Sequence, residues 1–323
     1  MPRNEERVLL SILKRYANAR GLRIHTRSQD WIVVLTGPTG PHYVWGYDLG
    51  INSATTARLI ADKAATFDVL TDHGLPAIEH RLFLEPYRQQ FVGSDGTWTA
   101  ILACHADFGK DSVVKPNEGT SGADVKRVQT MDALEAAVHS MFARGQNVAL
   151  SPFQDFGAEV RVYVASGAPV LMYRKERPTL IGDGVRTIAE LALARADEPA
   201  IRAAIAAGLE RIDLASVPSQ GTVVPVTWKH NLSLGSRLVT LAPSDHPALT
   251  SLAVRAAWAV GAQLAAVDIV ETQDGSKVLE VNNGAMFETA VRSGDLTFEV
   301  AYQICANALD QTLRSKACRQ ERE

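Results

Sequence analysis

The sequence predicts an α+β protein with more than one structural unit. The chain has 323 residues, and at about 150 residues per domain this length fits two domains, or one domain with two large lobes. Segments with apolar residues at helical spacing are interspersed with short strand-like runs. Hydrophobic residues make up 46% and charged residues 21% of the chain, which is the balance of a globular protein and excludes disorder as the main state.

The predicted helices have recognisable start and stop residues. The helix over 55–73 ends at Gly74, and the helix over 131–144 begins with Thr130 as N-cap and ends at Gly145. Other helices are predicted over 6–19, 98–106, 187–195, 199–209 and 248–260. Strands are predicted over 22–25, 31–36, 112–115, 147–152, 159–165, 170–175, 264–271 and 277–283, and the glycines of 37–41 predict a turn.

Charge and cysteine content exclude several classes of protein. The net charge of −3 disfavours nucleic-acid binding through phosphate neutralisation. Cys104, Cys305 and Cys318 are odd in number and form no CxxC pattern, which fits a reducing compartment without a disulfide framework or zinc site. No signal peptide is visible, and no apolar stretch reaches about 18 residues. We therefore expect a soluble, cytoplasmic protein that binds neither nucleic acid nor membrane.

A lysine next to a loop of small residues forms the first candidate site. Lys115 ends an apolar strand and is followed by a loop that contains Gly119, Thr120, Ser121 and Gly122. Such a loop suits phosphate, because glycines allow backbone N–H groups to approach the anion and the ammonium neutralises its charge. The alternative is a strand that ends in an ordinary polar turn.

The C-terminal hairpin carries the second candidate site. Glu280 and Asn282 share one face of their strand. If the loop is 273–275, the pairing sets Asp268 opposite Glu280, and two carboxylates and an amide oxygen converge on one face. An all-oxygen set of this kind suits Mg²⁺. A turn of two residues would instead put Asp268 and Glu280 on opposite faces.

Charged residues on two further strands form the third candidate site. Glu159 and Arg161 share a strand face, and Arg174 can supply a fixed positive charge to a phosphate. Surface salt bridges are the alternative for these residues. The sequence has no zinc-ligand spacing and no Gly-x-Ser-x-Gly elbow.

The order of these motifs along the chain resembles that of the ATP-grasp superfamily. The resemblance covers residues 51–288, and segments 181–191 and 231–233 resemble the ligase segment of cyanophycin synthetases. It implies an ATP-grasp fold in which two α+β lobes sandwich ATP. The implied divisions are a short N-terminal α/β region at 1–53, lobe 1 at 54–150 and lobe 2 at 151–323.

The resemblance also implies roles for individual residues. Lys63 and Lys115 would contact phosphates, and Arg174 and Arg161 would face the γ-phosphate or an acyl phosphate. The loop that closes over the phosphates would consist of Glu118, Gly119, Thr120, Ser121 and Gly122, and Mg²⁺ would be held by Asp268, Glu280 and Asn282.

Two departures from the superfamily pattern concern the ends of the site. No acidic residue stands near Ser151 at the nucleotide hinge, so Gln154, Asp155 or Glu159 is expected to contact the nucleotide instead. The Pro-Gly pair common after the last metal ligand is absent. At that end we expect the substrate to meet Asn283, Gly284 and Arg292.

The implied activity is ATP-dependent joining of a carboxylate to an amine, through an acyl phosphate and with release of ADP and phosphate. The resemblance implies amino acids or a peptide as substrates, and a homodimer. A kinase of the same fold and a nucleotide-binding module without turnover are the alternatives.

Overall fold

A computed structural model describes residues 6–91, 98–119, 122, 124–206, 213–230, 232, 236–284 and 286–320. The helices are α1 (Val8–Arg20), α2 (Ala54–Ala61), α3 (Lys63–Asp72), α4 (Pro86–Gln89), α5 (Trp98–Asp107), α6 (Met131–Phe142), α7 (Ile188–Leu193), α8 (Pro199–Ala206), α9 (Pro247–Ala259), α10 (Glu288–Arg292) and α11 (Phe298–Gln320). The strands are β1 (Arg23–Arg27), β2 (Ile32–Gly37), β3 (Gly40–Trp45), β4 (Arg81–Phe83), β5 (Ser112–Pro116), β6 (Lys126–Val128), β7 (Val148–Pro152), β8 (Glu159–Ala165), β9 (Ala168–Glu176), β10 (Thr179–Ile181), β11 (Val223–Pro225), β12 (Arg237–Leu241), β13 (Leu264–Thr272) and β14 (Gly275–Asn283).

The strands form antiparallel sheets, and the predicted α+β class is confirmed. A four-stranded sheet has the order β4-β7-β5-β6, and a five-stranded sheet has the order β12-β9-β8-β13-β14. The N-terminal strands form a separate sheet with the order β1-β2-β3, and β10 pairs with β11. Strand β3 was not predicted, because the glycines at its start indicated only a turn. Within the described ranges, no helix combines the length and apolar character that crossing a bilayer requires.

The four-stranded sheet packs against α5 and α6 to form a small lobe with its own core. Thr130 caps α6 as predicted, since its side chain accepts a hydrogen bond from the backbone N–H of Ala133 at 3.3 Å. The apolar stripe of α6 is buried against the sheet through Leu134, Ala137, Val138 and Met141.

The five-stranded sheet is covered on both faces, because its strands alternate between two apolar clusters. On one face, Val162 of β8 and Val267 of β13 pack against α9. On the other face, Tyr163 and Ala266 pack near α1 and α11, and the N-terminal sheet joins the same cluster. The rest of this second face carries the polar residues of the site.

The predicted helix over 55–73 is broken at Asp62, so Lys63 begins a new helix. Asp62 has an extended backbone (φ −89°, ψ 110°), and its side chain caps α3 by accepting a hydrogen bond from Ala65 N–H at 2.8 Å. Its backbone also bridges to Glu118 in the loop after β5. Tertiary pairing therefore interrupts a segment whose periodicity alone predicts one helix.

Helices α2 and α3 pack against β14 of the five-stranded sheet. The connection that follows them continues this sheet, because Val278 N–H donates to the carbonyl of Pro76 at 2.9 Å. The domain boundary at residue 54 remains a prediction. Residues 54–78 have extensive contacts with the large sheet.

The difference in burial between two helical leucines predicts that truncating them lowers the free energy of unfolding by very different amounts. Leu13 in α1 is fully buried, and Leu193 at the end of α7 is 68% exposed. We expect Leu13→Ala to lower the free energy of unfolding by about 2–5 kcal/mol, because it leaves a cavity, and Leu193→Ala to change it by less than about 0.5 kcal/mol. Urea unfolding followed by circular dichroism measures both, and similar losses would contradict the described packing.

Candidate active site

A cleft of about 470 Å³ lies between the small lobe and the five-stranded sheet, which together with the helices that cover it we call the large lobe. The small lobe contributes Lys115 and Gly119 to its lining, and the large lobe contributes Glu159, Arg161 and Asn282. The polar face of the five-stranded sheet thus looks toward the lysine and glycine loop of the small lobe.

The two predicted lysines both line this cleft. Lys115 is buried in β5, and the ammonium of Lys63 donates to the carbonyls of Asn117 at 3.3 Å and Gly119 at 3.2 Å. Burial lowers the pKa of Lys115 to about 8, with Lys63 acting in the same direction and Glu280 opposing it. Burial also lowers the pKa of Lys63. The positive charges of these two lysines are therefore not fully neutralised by acidic groups of the cleft.

Opposite the lysines is a buried group of interacting side chains, which we call the central charge cluster: Glu159, Arg161, Lys175, Asp268, Glu280 and Asn282. Asp268 is completely buried and accepts a hydrogen bond from Arg161 Nε at 2.6 Å. The ammonium of Lys175 lies 3.4 Å from both Asp268 oxygens and also pairs with Glu159. Asn282 Nδ2 lies 3.3 Å from Asp268 Oδ2 and 3.2 Å from Glu280 Oε1.

The two acids at the heart of the cluster differ in their protonation. Burial by itself would raise the pKa of Asp268, but the charges of Arg161 and Lys175 outweigh it and hold the pKa at about 2. Burial raises the pKa of Glu159 to about 7, although Lys175 opposes the shift. Asp268 is therefore ionised at neutral pH, whereas Glu159 exchanges its proton near neutral pH.

A β-bulge brings Asp268 and Glu280 together. Thr272 pairs with Gly275, so the loop has two residues, and the predicted loop of three residues is wrong. A turn of two residues with regular pairing would have separated the carboxylates. The register shifts between Asp268 and Ile269, with Leu279 as the extra residue of β14, and this places Asp268 opposite Glu280. The predicted convergence is thus reached by a different route.

A second β-bulge decides which basic residue of β9 faces the site. The register of β8 and β9 shifts next to Val164, and Lys175 pairs with Glu159 while Arg174 pairs with Val160. Arg174 therefore lies on the opposite face of the sheet, where it pairs with Glu176 and its side chain is 41% exposed. The structure brings Lys175, not the predicted Arg174, into the cluster.

The remaining predicted residues are divided between the cleft and its surroundings. Those that line the cleft are Gly119, Gly122, Gln154, Asn283 and Gly284. Glu118 pairs through its backbone with Asp62, and Asp155 lies 3.5 Å from Arg177.

Arg292 pairs with Glu288 and donates to the carbonyl of Glu6 at 2.8 Å, so it joins α10 to the start of the chain rather than lining the cleft. Thr120 and Ser121, and with them Asn231 and Ser233 of the resemblance, lie outside the described residues.

The loop that departs from the superfamily pattern is fixed to the N-terminal region. Gly284 has φ +89°, and a Cβ there would lie 2.5 Å from the carbonyl oxygen of Tyr47, so only glycine fits. Asn283 donates to Asp48 at 3.0 Å and accepts a hydrogen bond from Asn52 at 2.7 Å. The N-terminal region therefore supports this edge of the cleft.

Sequence reasoning missed a group of aromatic side chains in the lining of the cleft, which we call the aromatic wall. Phe153 and Trp228 meet edge to face at 5.6 Å, and Phe156 stacks on His230 at 5.0 Å. Arg127 lies over the ring of Phe153 at 3.4 Å. The sequence contained part of the signal, because Phe153 and Phe156 follow the predicted nucleotide hinge near Ser151. Their aromatic partners are distant in sequence, so the wall was not evident. The wall provides flat apolar surfaces that a planar ring can contact.

We expect Asp268→Asn to lower the free energy of unfolding by about 3–5 kcal/mol at pH 7, because Arg161 and Lys175 lose a charged partner in a buried place. Folding lowers the pKa of Asp268 from about 3.9 to about 2. Its ionisation therefore stabilises the fold above pH 4, and this contribution of about 2–3 kcal/mol is lost as the pH falls toward 2.

The difference in free energy of unfolding between the wild type and Asp268→Asn should therefore become smaller as the pH falls from 5 to about 2.5. Urea unfolding across this range measures it. Asp274→Asn is the matched control, because the Asp274 side chain is 77% exposed in the hairpin turn. A difference that stays constant with pH would contradict the ionised state of Asp268.

Comparison with known proteins identifies distant sequence relatives. No family model matches the chain. The cyanophycin synthetase of Trichormus variabilis is 26% identical over 257 residues, which cover 73% of this chain and 27% of that protein. The glutathione biosynthesis bifunctional protein GshAB of Mannheimia succiniciproducens is 25% identical over 181 residues, or 50% of this chain and 24% of that protein. The chain thus spans about a quarter of the length of these curated relatives.

Solved structures show the same architecture. The D-alanine–D-alanine ligase of Bacillus anthracis superposes with a TM-score of 0.52 at 14% identity, over 82% of this chain and 71% of that chain. A structure of the same enzyme with ATP gives a TM-score of 0.50 at 12% identity, over 82% and 70% of the two chains. The chain therefore has the ATP-grasp fold that the order of its motifs predicts.

Proposed function

We propose that this chain is an ATP-dependent carboxylate–amine ligase that joins amino acids, or an amino acid to a peptide, with release of ADP and phosphate. One observation carries the proposal: Lys63 and Lys115 share a single cleft between two lobes with Glu280 and Asn282. The amide of Asn282 also contacts Asp268, which is buried behind the cleft wall. Cations for a polyphosphate and oxygen ligands for a hard metal are what such chemistry requires.

The nucleotide would lie along the cleft from the aromatic wall to the lysines. Phe153 and Trp228 offer flat surfaces for a base, and Gly119 and Gly122 let the backbone approach phosphates closely. The ammonium groups of Lys63 and Lys115 would neutralise phosphate charge. Lys63 would exchange its two carbonyl acceptors for phosphate oxygens.

Of the three predicted metal ligands, Glu280 and Asn282 line the cleft, where a magnesium ion could meet them. Asp268 is fully buried and its carboxylate is held by Arg161 and Lys175, so the structure does not offer it as a direct ligand. Glu280 and Asn282 carry the hard oxygen atoms that Mg²⁺ prefers. The Asn282 amide, whose Nδ2 donates to Glu280 and Asp268, would have to turn to present its oxygen. The described residues contain no group of three His, Cys, Asp or Glu side chains that could hold a metal, so the Asn282 amide and phosphate oxygens would complete the set. When bound, the ion would neutralise charge on the phosphates and hold them in line for transfer.

The side chains of the charge cluster would position and stabilise the reacting groups. In the proposed reaction, a carboxylate oxygen of one substrate attacks the γ-phosphorus and ADP departs. An amine then attacks the acyl carbon, loses a proton and expels phosphate. Arg161 and Lys175 are the cations on the large sheet that can face the transferred phosphoryl group. Closure of the lobes would exclude water and protect the acyl phosphate from hydrolysis.

The test is a matrix of amino acids and short peptides incubated with MgATP, scored by phosphate release and product mass. We expect an amide product and ADP from at least one pair. Lys115→Met should reduce turnover by about a hundredfold or more, while the exposed Lys110→Met should leave it unchanged. ADP with a phosphorylated product and no amide would indicate a kinase, and nucleotide binding without ADP formation would indicate a module without turnover.

The lowered pKa of Lys115 predicts a pH dependence of nucleotide binding. Lys115 is protonated below about pH 8 and neutral above it, so the affinity for ATP should fall as the pH rises from 7 to 9, by at most about tenfold per pH unit above the pKa. Lys115→Arg keeps its charge throughout this range and should flatten the profile. Calorimetric titration with a non-hydrolysable analogue measures this, and a flat wild-type profile would contradict it.

A further inference from the structure

The N-terminal sheet has an outer face that does not take part in the cleft. Its inner face is buried through Val33, Leu35 and Val44, which belong to the core beneath it. The opposite face is formed by alternate residues of the three strands. None of these outer residues lines the cleft, so any role they have is separate from the proposed chemistry.

The strand register arranges the outer residues in three rows. Each row runs across the sheet from β1 through β2 to β3, and the first row is led by Arg23, the second by His25 and the third by Arg27. The β3 edge is aromatic in the second and third rows. The rows are Arg23–Thr36–Pro41, His25–Val34–Tyr43 and Arg27–Ile32–Trp45, and we call these nine residues the outer face.

The outer face has a basic edge along β1. Arg23, His25 and Arg27 are exposed, and Arg27 donates only to the carbonyl of Thr26. In the part of the chain that the structure describes, none of the three forms an ion pair. This is notable in a chain with a net charge of −3, most of whose exposed arginines on helices and loops do pair with carboxylates.

The aromatic edge is exposed to a similar degree. Tyr43 is 61% and Trp45 is 62% exposed, and they stand two residues apart on the same side of β3. Charged residues on an edge strand can have the sole role of preventing another strand from pairing with that edge. That role does not explain two large aromatic side chains on the same face, because exposed aromatics favour association.

We propose that the outer face binds an extended acidic polypeptide segment. Side chains on one face of a strand are about 6.8 Å apart along the chain, so carboxylates at alternate positions of an extended peptide match the spacing of Arg23, His25 and Arg27. Val34 at the centre of the face is buried, so Ile32 and the rings of Tyr43 and Trp45 then cover the rest of the segment. Arg, Tyr and Trp are the residues enriched where protein partners bind.

The two edges would contribute differently. Ion pairs at an exposed surface add little affinity each, but they select an acidic partner over a neutral or basic one. Desolvation of Tyr43 and Trp45 would supply most of the affinity. The inference does not depend on the ligase activity, and amide formation from free amino acids should be the same in all the variants below.

The test measures anisotropy of a fluorescein-labelled oligoglutamate titrated with the full chain. We expect saturable binding that weakens as NaCl is raised from about 0.05 to 0.5 M, and binding of an oligoglutamine of the same length that is weaker by about tenfold or more. Arg23→Gln/Arg27→Gln and Tyr43→Ser/Trp45→Ser should each weaken binding by about tenfold or more. Unchanged melting curves would show that both variants fold.

Matched controls remove the same groups elsewhere on the surface. Arg58→Gln/Arg202→Gln removes two exposed charges, and Tyr87→Ser/Phe91→Ser removes two aromatic side chains that are each 70% exposed. Neither should change binding. The proposal is overturned if oligoglutamate does not bind, if the controls weaken binding equally, or if oligothymidylate binds more tightly. It is also overturned if Tyr43→Ser/Trp45→Ser abolishes a dimer seen by sedimentation, because the face would then be a self-association surface.

Discussion

The ionised Asp268 carboxylate, fully buried between Arg161 and Lys175, is the interaction on which the rest of the site depends. A charge in this position is tolerable only because two cations and Asn282 contact it. Each of those partners sits on a different strand of the five-stranded sheet. The carboxylate therefore fixes the relative positions of β8, β9, β13 and β14 at the centre of the large lobe.

Two β-bulges explain why the sequence predicted some of the site and not the rest. Residue types and alternation were sufficient to select Asp268, Glu280 and Asn282, and the apolar strand before Lys115 was sufficient to select that lysine. The faces of β9 and β14 were not predictable in the same way, because one extra residue in a strand reverses every side chain beyond it. Pro169, inside β9 and next to its bulge, was the only local sign, since proline within a sheet is confined to edges and bulges.

The fold was predictable wherever local signals and tertiary contacts agree. Thr130 caps α6 as expected, and the helix predicted over 248–260 matches α9. The 23-residue helix α11 was not predicted. The prediction failed at Asp62, where a cap and a backbone bridge to Glu118 override helical periodicity, and at β3, where glycines at 37 and 40 form a hairpin turn inside a sheet. The altered loop at Asn283 and Gly284 is explained by its contacts with Tyr47 and Asp48. These residues are far from the loop in sequence, so the contacts could not be predicted from the sequence.

The break in the helix at Asp62 has a mechanical consequence. Lys63 begins a helix that is anchored to the large lobe, yet its ammonium is held by the carbonyls of Asn117 and Gly119, which belong to the small lobe. Backbone contacts join the same two segments, because Asp62 bridges to Glu118 and the N–H of Lys63 donates to the carbonyl of Asn117 at 3.2 Å. A polyanion that recruits the ammonium would therefore replace only the side-chain part of this link, and the backbone contacts would keep α3 joined to the loop of the small lobe.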